Sequence, residues 1–252
     1  MRASVDIDFS IEDTFDSNPD EILGRIRKTL EQTFRERGFE VFDFRMEERP
    51  RGLTADVADF WGGYGVEFKL ATREKFLEHS NDIVALRRNA VQLGQGSKFL
   101  IDISKHEYIT GKEAVELDGY RVFVYTPEMI VCEKLRAICQ QMPEYARVVK
   151  RTGRPGSSRA RDYLDIYILV TERKVDITSP NNRILLKHIF EAKRVPTKLL
   201  QLVATSEVRE FHRLNFAAVQ ATVKAGMKLE GFDFYADFVE RLLKGLEPFG
   251  DE

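Results

Sequence analysis

Polar and apolar residues alternate strictly along Ser4-Val5-Asp6-Ile7-Asp8-Phe9-Ser10, with Val5, Ile7 and Phe9 on one side. That period of two predicts a strand with an apolar and a polar face. Asn18 and Pro19 then suit the N-cap and first position of a helix. Ile22, Ile26, Leu30 and Phe34 recur every fourth residue as one buried stripe, and Gly38 closes the helix. Phe39 to Phe44 reads as a strand. Tyr64 to Ala71 is another, with Tyr64, Val66, Phe68 and Leu70 opposite Glu67 and Lys69. Glu74 to Ala90 is charged and mostly helical or irregular. Phe99 to Ile103 and Tyr120 to Tyr125 read as further strands. From Thr126-Pro127 onward the period is helical, predicting helices at about 127–142, 159–173, 181–193, 196–205, 207–225 and 232–246. One marked loop runs from Ala146 to Ala160. The layout predicts an α+β chain: a mixed α/β domain over 1–125 and a helical domain over 126–252, without internal repeats or low-complexity segments.

Composition narrows the class. Of 252 residues, 43% are hydrophobic and 32% charged, which is globular and not disordered composition. The net charge of -2 excludes a uniformly basic nucleic-acid coat and leaves a local basic patch as the alternative. No apolar run approaches the ~18 to 20 residues of a membrane helix, and the acidic start has no apolar h-region, so neither a membrane span nor a signal peptide is expected. Cys132 and Cys139 lie seven apart in one helical pattern. That spacing suits neither a disulfide nor zinc, and a reducing, cytoplasmic location is expected.

Three groups of residues carry candidate chemistry. Asp6 and Asp8 project from the same strand face, an arrangement that holds hard divalent cations through oxygen. A third carboxylate from a neighbouring strand would complete a two-metal site, with Asp102 the first choice and Glu67 its rival. The competing explanation is that Asp6 and Asp8 form the solvated face of an edge strand. Lys134 lies in register with Ile130 and Ile138 on an apolar helix stripe, so its ammonium requires an anion, either a nucleotide phosphate or a carboxylate such as Asp162. Arg147, Lys150, Arg151, Arg154, Arg159 and Arg161 crowd one Gly/Pro/Ser-rich loop and its exit, where phosphate is the natural partner and a solvated loop the alternative. Asp162 and Asp165 share a face of the next helix. The four histidines show no metal-ligand spacing, and Gly62-Gly63-Tyr64-Gly65 precedes a strand, which makes it a turn and not a dinucleotide fingerprint.

Four segments in order resemble the AbiEii/AbiGii nucleotidyltransferase toxins of the DNA polymerase β-like superfamily. They are Arg2-Ala-Ser4-Val-Asp6-Ile-Asp8-Phe9, Phe99-Leu-Ile-Asp102-Ile-Ser104, Tyr125 through Glu133-Lys134-Leu135 to Ala137, and Arg159-Ala-Arg161-Asp162-Tyr-Leu-Asp165-Ile-Tyr167. The resemblance covers residues 2–170. It implies a polymerase β-like mixed sheet with flanking helices, followed by a helical bundle. It implies Mg²⁺-dependent transfer of a nucleotide from an NTP to an acceptor, RNA and in particular tRNA, by a toxin of a toxin–antitoxin or phage-defence system with a cognate antitoxin. Asp6, Asp8 and Asp102 would hold the metals, and Asp102 would help activate the acceptor hydroxyl. Ser4 and Lys134 would lie at the triphosphate, with Arg161, Asp162 and Asp165 on the nucleotide side, while Lys150, Arg151, Arg154 and Arg159 would meet RNA. In that superfamily a Gly-Gly or Gly-Ser turn precedes the first metal aspartate by about ten residues. Only five residues precede Asp6 here, so that element is expected to be missing, with apolar surface exposed around Val5 and Phe9. The alternative function is a catalytically impaired RNA- or protein-binding module. A metal-dependent nuclease built on Glu67-Phe68-Lys69 ranks last.

Overall fold

A computed structural model describes residues 7–15, 18–93, 96–153, 156–221 and 229–249. Ser4, Asp6 and Arg154 therefore lie outside the described residues. The chain divides into two compact units after His106.

The first unit is built around a four-stranded sheet. Its elements are β1 (Ile7–Ser10), α1 (Pro19–Arg35), β2 (Phe39–Arg49), α2 (Ala55–Ala58), β3 (Gly63–Thr72), α3 (Arg73–Glu78), α4 (Ile83–Arg88) and β4 (Phe99–Ser104). The strand order is β1-β4-β3-β2, with β1 parallel to β4 and the other pairs antiparallel. The expected N-cap is present, with the Asp20 N–H donating to Asn18 Oδ1 at 3.0 Å. Ile26, Leu30 and Phe34 of α1 pack on a core of Val41, Tyr64, Val66, Phe68, Leu70, Ile101 and Ile103. Phe68 lies at the centre of that contact, 5.4 Å from Phe99 and 5.7 Å from Phe34 between ring centroids.

β2 continues five residues past the predicted end at Phe44. Its register slips by one residue between Phe42 and Arg45, where Asp43 adopts φ 50°. This bulge inverts the alternation. Phe44 and Met46 thereby join Val41 on the core side. Arg45 falls opposite Glu67 and Arg49 opposite Gly63. A strict period of two across 39–49 cannot predict both halves, which is why the pattern ended the strand early. The apolar side of β1 is exposed, with Ile7 and Phe9 at 55% and 53%, as expected around Phe9. α1 packs on β2, at the opposite edge of the sheet from β1.

The second unit opens with the hairpin β5 (Glu113–Leu117) and β6 (Tyr120–Val124). Asp118 and Gly119 at its turn have φ 51° and 80°, the Asp-Gly geometry of a two-residue hairpin. The division at residue 106 thus places the hairpin with the helices, whereas the hydropathy pattern divides the chain near 125. Helices follow: α5 (Pro127–Cys139), α6 (Pro143–Val148), α7 (Ala160–Arg173), α8 (Pro180–Ala192), a 3₁₀ helix (Thr197–Leu202), α9 (Ser206–Arg213), α10 (Phe216–Ala221) and α11 (Phe232–Lys244). The predicted helix over 207–225 is divided at Leu214 and Asn215, and α6 occupies the start of the predicted loop. The core of this unit contains Met129, Val131, Cys132, Leu135, Ile138 and Cys139 of α5, all fully buried, packed against α7 and α8. Among the described residues no helix is long and apolar enough to cross a membrane.

Candidate active site

The sheet has one face of aromatic and branched residues and one of charge. Directly paired residues share a face, so the ladder places Asp8, Asp102, Gly65, Glu67 and Lys69 on the side opposite Val66 and Phe68. Asp8 and Asp102 are register partners on adjacent parallel strands, about 4.8 Å apart along the hydrogen-bonding direction. Neighbouring hydrophobes Ile101 and Ile103 anchor β4 in the core and leave the Asp102 side chain 43% exposed. The strand of Asp102 is thus the direct neighbour of the strand of Asp8. Among the described residues no group of three or more His, Cys, Asp or Glu is placed to hold a metal.

Glu67, the rival carboxylate, lies next along the same face and is held differently. Its Oε2 accepts hydrogen bonds from Arg45, its Oε1 accepts one from Arg49 Nη2 at 2.5 Å, and Lys98 Nζ lies 3.5 Å from Oε2. The Arg45 hydrogen bonds lead in holding its carboxyl down at about 2. Arg49 also reaches back, with Nη1 3.9 Å from Asp102 Oδ1. Arg45 and Arg49 were not singled out from the sequence. The signal was available only in part, since alternation from Arg45 places Glu47 and Arg49 on its face, but the bulge hides which face that is.

Gly65 makes room for this arrangement. A Cβ there would lie 2.6 Å from the Arg49 guanidinium. The obstructed group is the end of a flexible side chain, so Gly65→Ala is expected to keep the fold, to lower the melting temperature by no more than a few degrees, and to raise the Glu67 carboxyl pKa by displacing Arg49. Carbon-detected NMR titration of the Glu67 carboxyl measures that rise. An unchanged value would show that Arg49 does not help set it.

In the helical unit Thr126 caps α5, its Oγ1 accepting from the Met129 N–H at 3.2 Å. The helix carries Lys134 to α7, where Nζ lies 2.9 Å from Asp162 Oδ1 and 2.7 Å from Asp165 Oδ2. Burial opposes the Lys134 charge, but Asp162 and then Asp165 outweigh it, and its pKa moves upward. The lysine is therefore a fixed cation. The carboxylate partner expected for it is present and is doubled by the i, i+3 spacing on α7. Arg159 Nε lies 3.6 Å from Asp162 Oδ2. Arg161 is exposed, and so is Lys150, at φ 52°. Arg151 is half-buried.

His212, assigned no role from its sequence spacing, secures the start of α7. The Arg159 N–H donates to His212 Nδ1 at 2.9 Å and Ser158 Oγ donates to the His212 carbonyl at 2.9 Å. With Nδ1 accepting, the proton of the neutral ring is assigned to Nε2. Burial pushes the imidazole pKa down to about 4. An unfolded histidine protonates near 6.5, so His212 supports folding fully above pH 6.5 and loses that support as the pH falls from 6.5 to 4. The loss is expected to be about 3 kcal/mol. Urea midpoints measured across that range should fall in the parent and stay flatter in His212→Gln, and parallel curves would remove the assignment.

A second buried cluster stabilises the same unit. Arg136 pairs with Glu133 and, through Nη2 at 3.0 Å, with Glu107, whose other oxygen is 3.1 Å from Lys193 Nζ. Two cations and two carboxylates are enclosed together. This cluster ties Glu107 to α5 through Arg136 and to the end of α8 through Lys193.

The two sets differ in chemical capacity. The aspartate pair offers oxygen ligands to a hard cation, and in the Lys134 set one ammonium is held in a fixed orientation between two carboxylates. No curated protein matches the chain. The family model described as "Nucleotidyl transferase AbiEii toxin, Type IV TA system" matches residues 1–238, and on that coverage the chain belongs to the AbiEii nucleotidyl transferase toxin family.

Proposed function

We propose that this chain transfers a nucleoside monophosphate from an NTP to a hydroxyl at the end of an RNA, breaking the α–β phosphoanhydride with release of pyrophosphate, with tRNA as the acceptor class, and that it does so as the toxin of a type IV pair with a cognate antitoxin. The observation that supports this most directly is the register pairing of Asp8 with Asp102 on the polar face of the sheet. Asp6, two residues before Asp8, completes the proposed ligand set by alternation. The donors are all carboxylate oxygens, which fit Mg²⁺ and exclude a soft-metal preference. Bound there, the cation supplies Lewis-acid stabilisation of the phosphoryl oxygens. Asp102 also orients the acceptor hydroxyl and receives its proton. Glu67 is bound by two arginines, which favours Asp102 as the carboxylate partner of Asp8. Lys134, oriented by Asp162 and Asp165, is the proposed cation for triphosphate oxygens, with Ser4 and Arg161 as further nucleotide contacts.

The test is incubation of the purified chain with total RNA, Mg²⁺ and each α-labelled NTP in turn, beside the Asp6→Ala/Asp8→Ala double variant. Label on a small RNA that requires Mg²⁺ and the intact aspartates is the expected result, and it names the nucleotide. No label from the folded chain would overturn the reading in favour of a non-catalytic RNA- or protein-binding module.

A further inference from the structure

The polar face of the sheet does not end at the aspartates. Beyond Glu67 it opens into a groove of about 470 Å³ lined by Arg45, Lys69, Arg87 and Lys98 together with Asp43 and Glu67. Four cationic side chains thus meet two carboxylates. Each carboxylate holds cations in place: Arg87 grips Asp43 through Nε at 2.7 Å and Nη2 at 2.9 Å, with Lys69 Nζ 3.6 Å away, and Glu67 holds Arg45 and Lys98. The result is a fixed array with surplus positive charge. It is also accessible, since Arg45, Arg87 and Lys98 are each more than half exposed.

Geometry sets what the array fits. Same-face residues on a strand repeat every ~6.6 Å, comparable to the repeat of an extended sugar–phosphate backbone. From Asp102 the cations follow in line: Arg49 beside it, Arg45 at Glu67, then Lys98 and Lys69, with Arg87 of α4 as the end wall. A mononucleotide has too few phosphates to use this length, and a duplex is too wide to lie along one strand pair. The bulge at Asp43 creates the groove, because it turns Arg45 onto the charged face while Asp43 reaches Arg87.

We propose that this groove is a binding site for the backbone of single-stranded RNA, whose phosphates run along Arg45, Lys98, Lys69 and Arg87 toward the paired aspartates. The assignment rests on the proposed reading only in taking RNA as the acceptor. The lining residues all belong to the sheet unit, whereas the basic loop is part of the helical unit.

The test is fluorescence anisotropy of a labelled single-stranded RNA ending in a 3′-deoxynucleotide, with EDTA and without NTP, so that neither metal nor reaction contributes. The variants are Lys69→Gln/Lys98→Gln, Lys98→Glu and, in the loop, Lys150→Gln/Arg151→Gln. Removing two phosphate contacts is expected to reduce the slope of log K against log salt by about 1.4. Binding of the first variant should weaken about tenfold or more at low salt, Lys98→Glu should weaken it in the same direction, and the loop variant should bind as the parent does. Lys98 is exposed, so its reversal tests the proposal even if loss of Lys69 disturbs the fold. Equal slopes in parent and both groove variants would overturn the proposal. So would loss confined to the loop variant, or displacement of RNA by poly-glutamate at equal charge. Label transfer by the parent combined with unchanged RNA binding in the groove variants removes the groove and leaves the transferase reading. Groove-dependent binding without label transfer does the reverse.

Discussion

Asp102→Asn is expected to lower nucleotide transfer by about 10³-fold, the rate equivalent of roughly 4 kcal/mol of transition-state stabilisation, while the chain remains folded. The substitution keeps the shape and removes the charge. Because Asp102 projects from the polar face and is partly exposed, the change leaves no new buried void. Glu67→Gln provides the contrast. It lies on the same face, but its carboxylate is bound by Arg45 and Arg49, so its loss should reduce the rate far less and act through the arginines. Transfer of label from an α-labelled NTP, measured for both variants at saturating Mg²⁺, separates the two. A larger defect for Glu67→Gln than for Asp102→Asn would reverse the assignment of the third carboxylate.

Arg136→Met is expected to cost about 3–5 kcal/mol of stability, the penalty of leaving buried carboxylates without their cation. Its guanidinium joins Glu107 to Glu133 beneath α5, and Arg136, Glu107 and Lys193 are all almost fully buried. Glu133 Oε1 has no hydrogen-bond partner in the structure, so after the substitution Glu133 is the most exposed to the penalty. Burial raises its carboxyl pKa even with Arg136 in place. A raised carboxyl pKa means that the folded state binds the proton more tightly than the unfolded one, so the variant should regain stability as the pH falls toward 4.5. Glu133→Gln added to Arg136→Met should recover part of the loss at neutral pH. Thermal melts of the single and double variants decide this, and a single variant as stable as the parent would show that the cluster contributes nothing.

Much of the architecture was legible because local signals agreed with the tertiary environment. The Asn18 cap, the apolar stripe of α1 and the Thr126 cap all read correctly, since capping and helix periodicity are satisfied within a few residues. The polar face of β4 is legible for a related reason. Ile101 and Ile103 face the core, which turns Asp102 outward, whereas Ile7 and Phe9 are exposed and Asp8 is placed by its register with Asp102. The hairpin was read only in its second half, although Asp118-Gly119 is a strong turn signal, because β5 and β6 pair with each other and bury little. The later helices were lengthened and fused because helical period alone does not mark a break such as that at Leu214 and Asn215.

The sequence by itself determined the α+β class, the mixed-sheet-then-helices order, and the polar faces that carry Asp8 and Asp102. Each follows from periodicity, capping or side-chain alternation acting over a few residues. Only the tertiary structure decided which strand lies beside which, and therefore that Asp8 meets Asp102 while Glu67 meets Arg45 and Arg49. It likewise decided that one extra residue at Asp43 turns Arg45 and Arg49 onto the face that carries Glu67 and Lys69, and that His212 lies against the start of α7. The physical reason is common to all three. Strand register, bulges and long-range hydrogen bonds are selected by what must be buried elsewhere in the chain, and no local pattern contains that information.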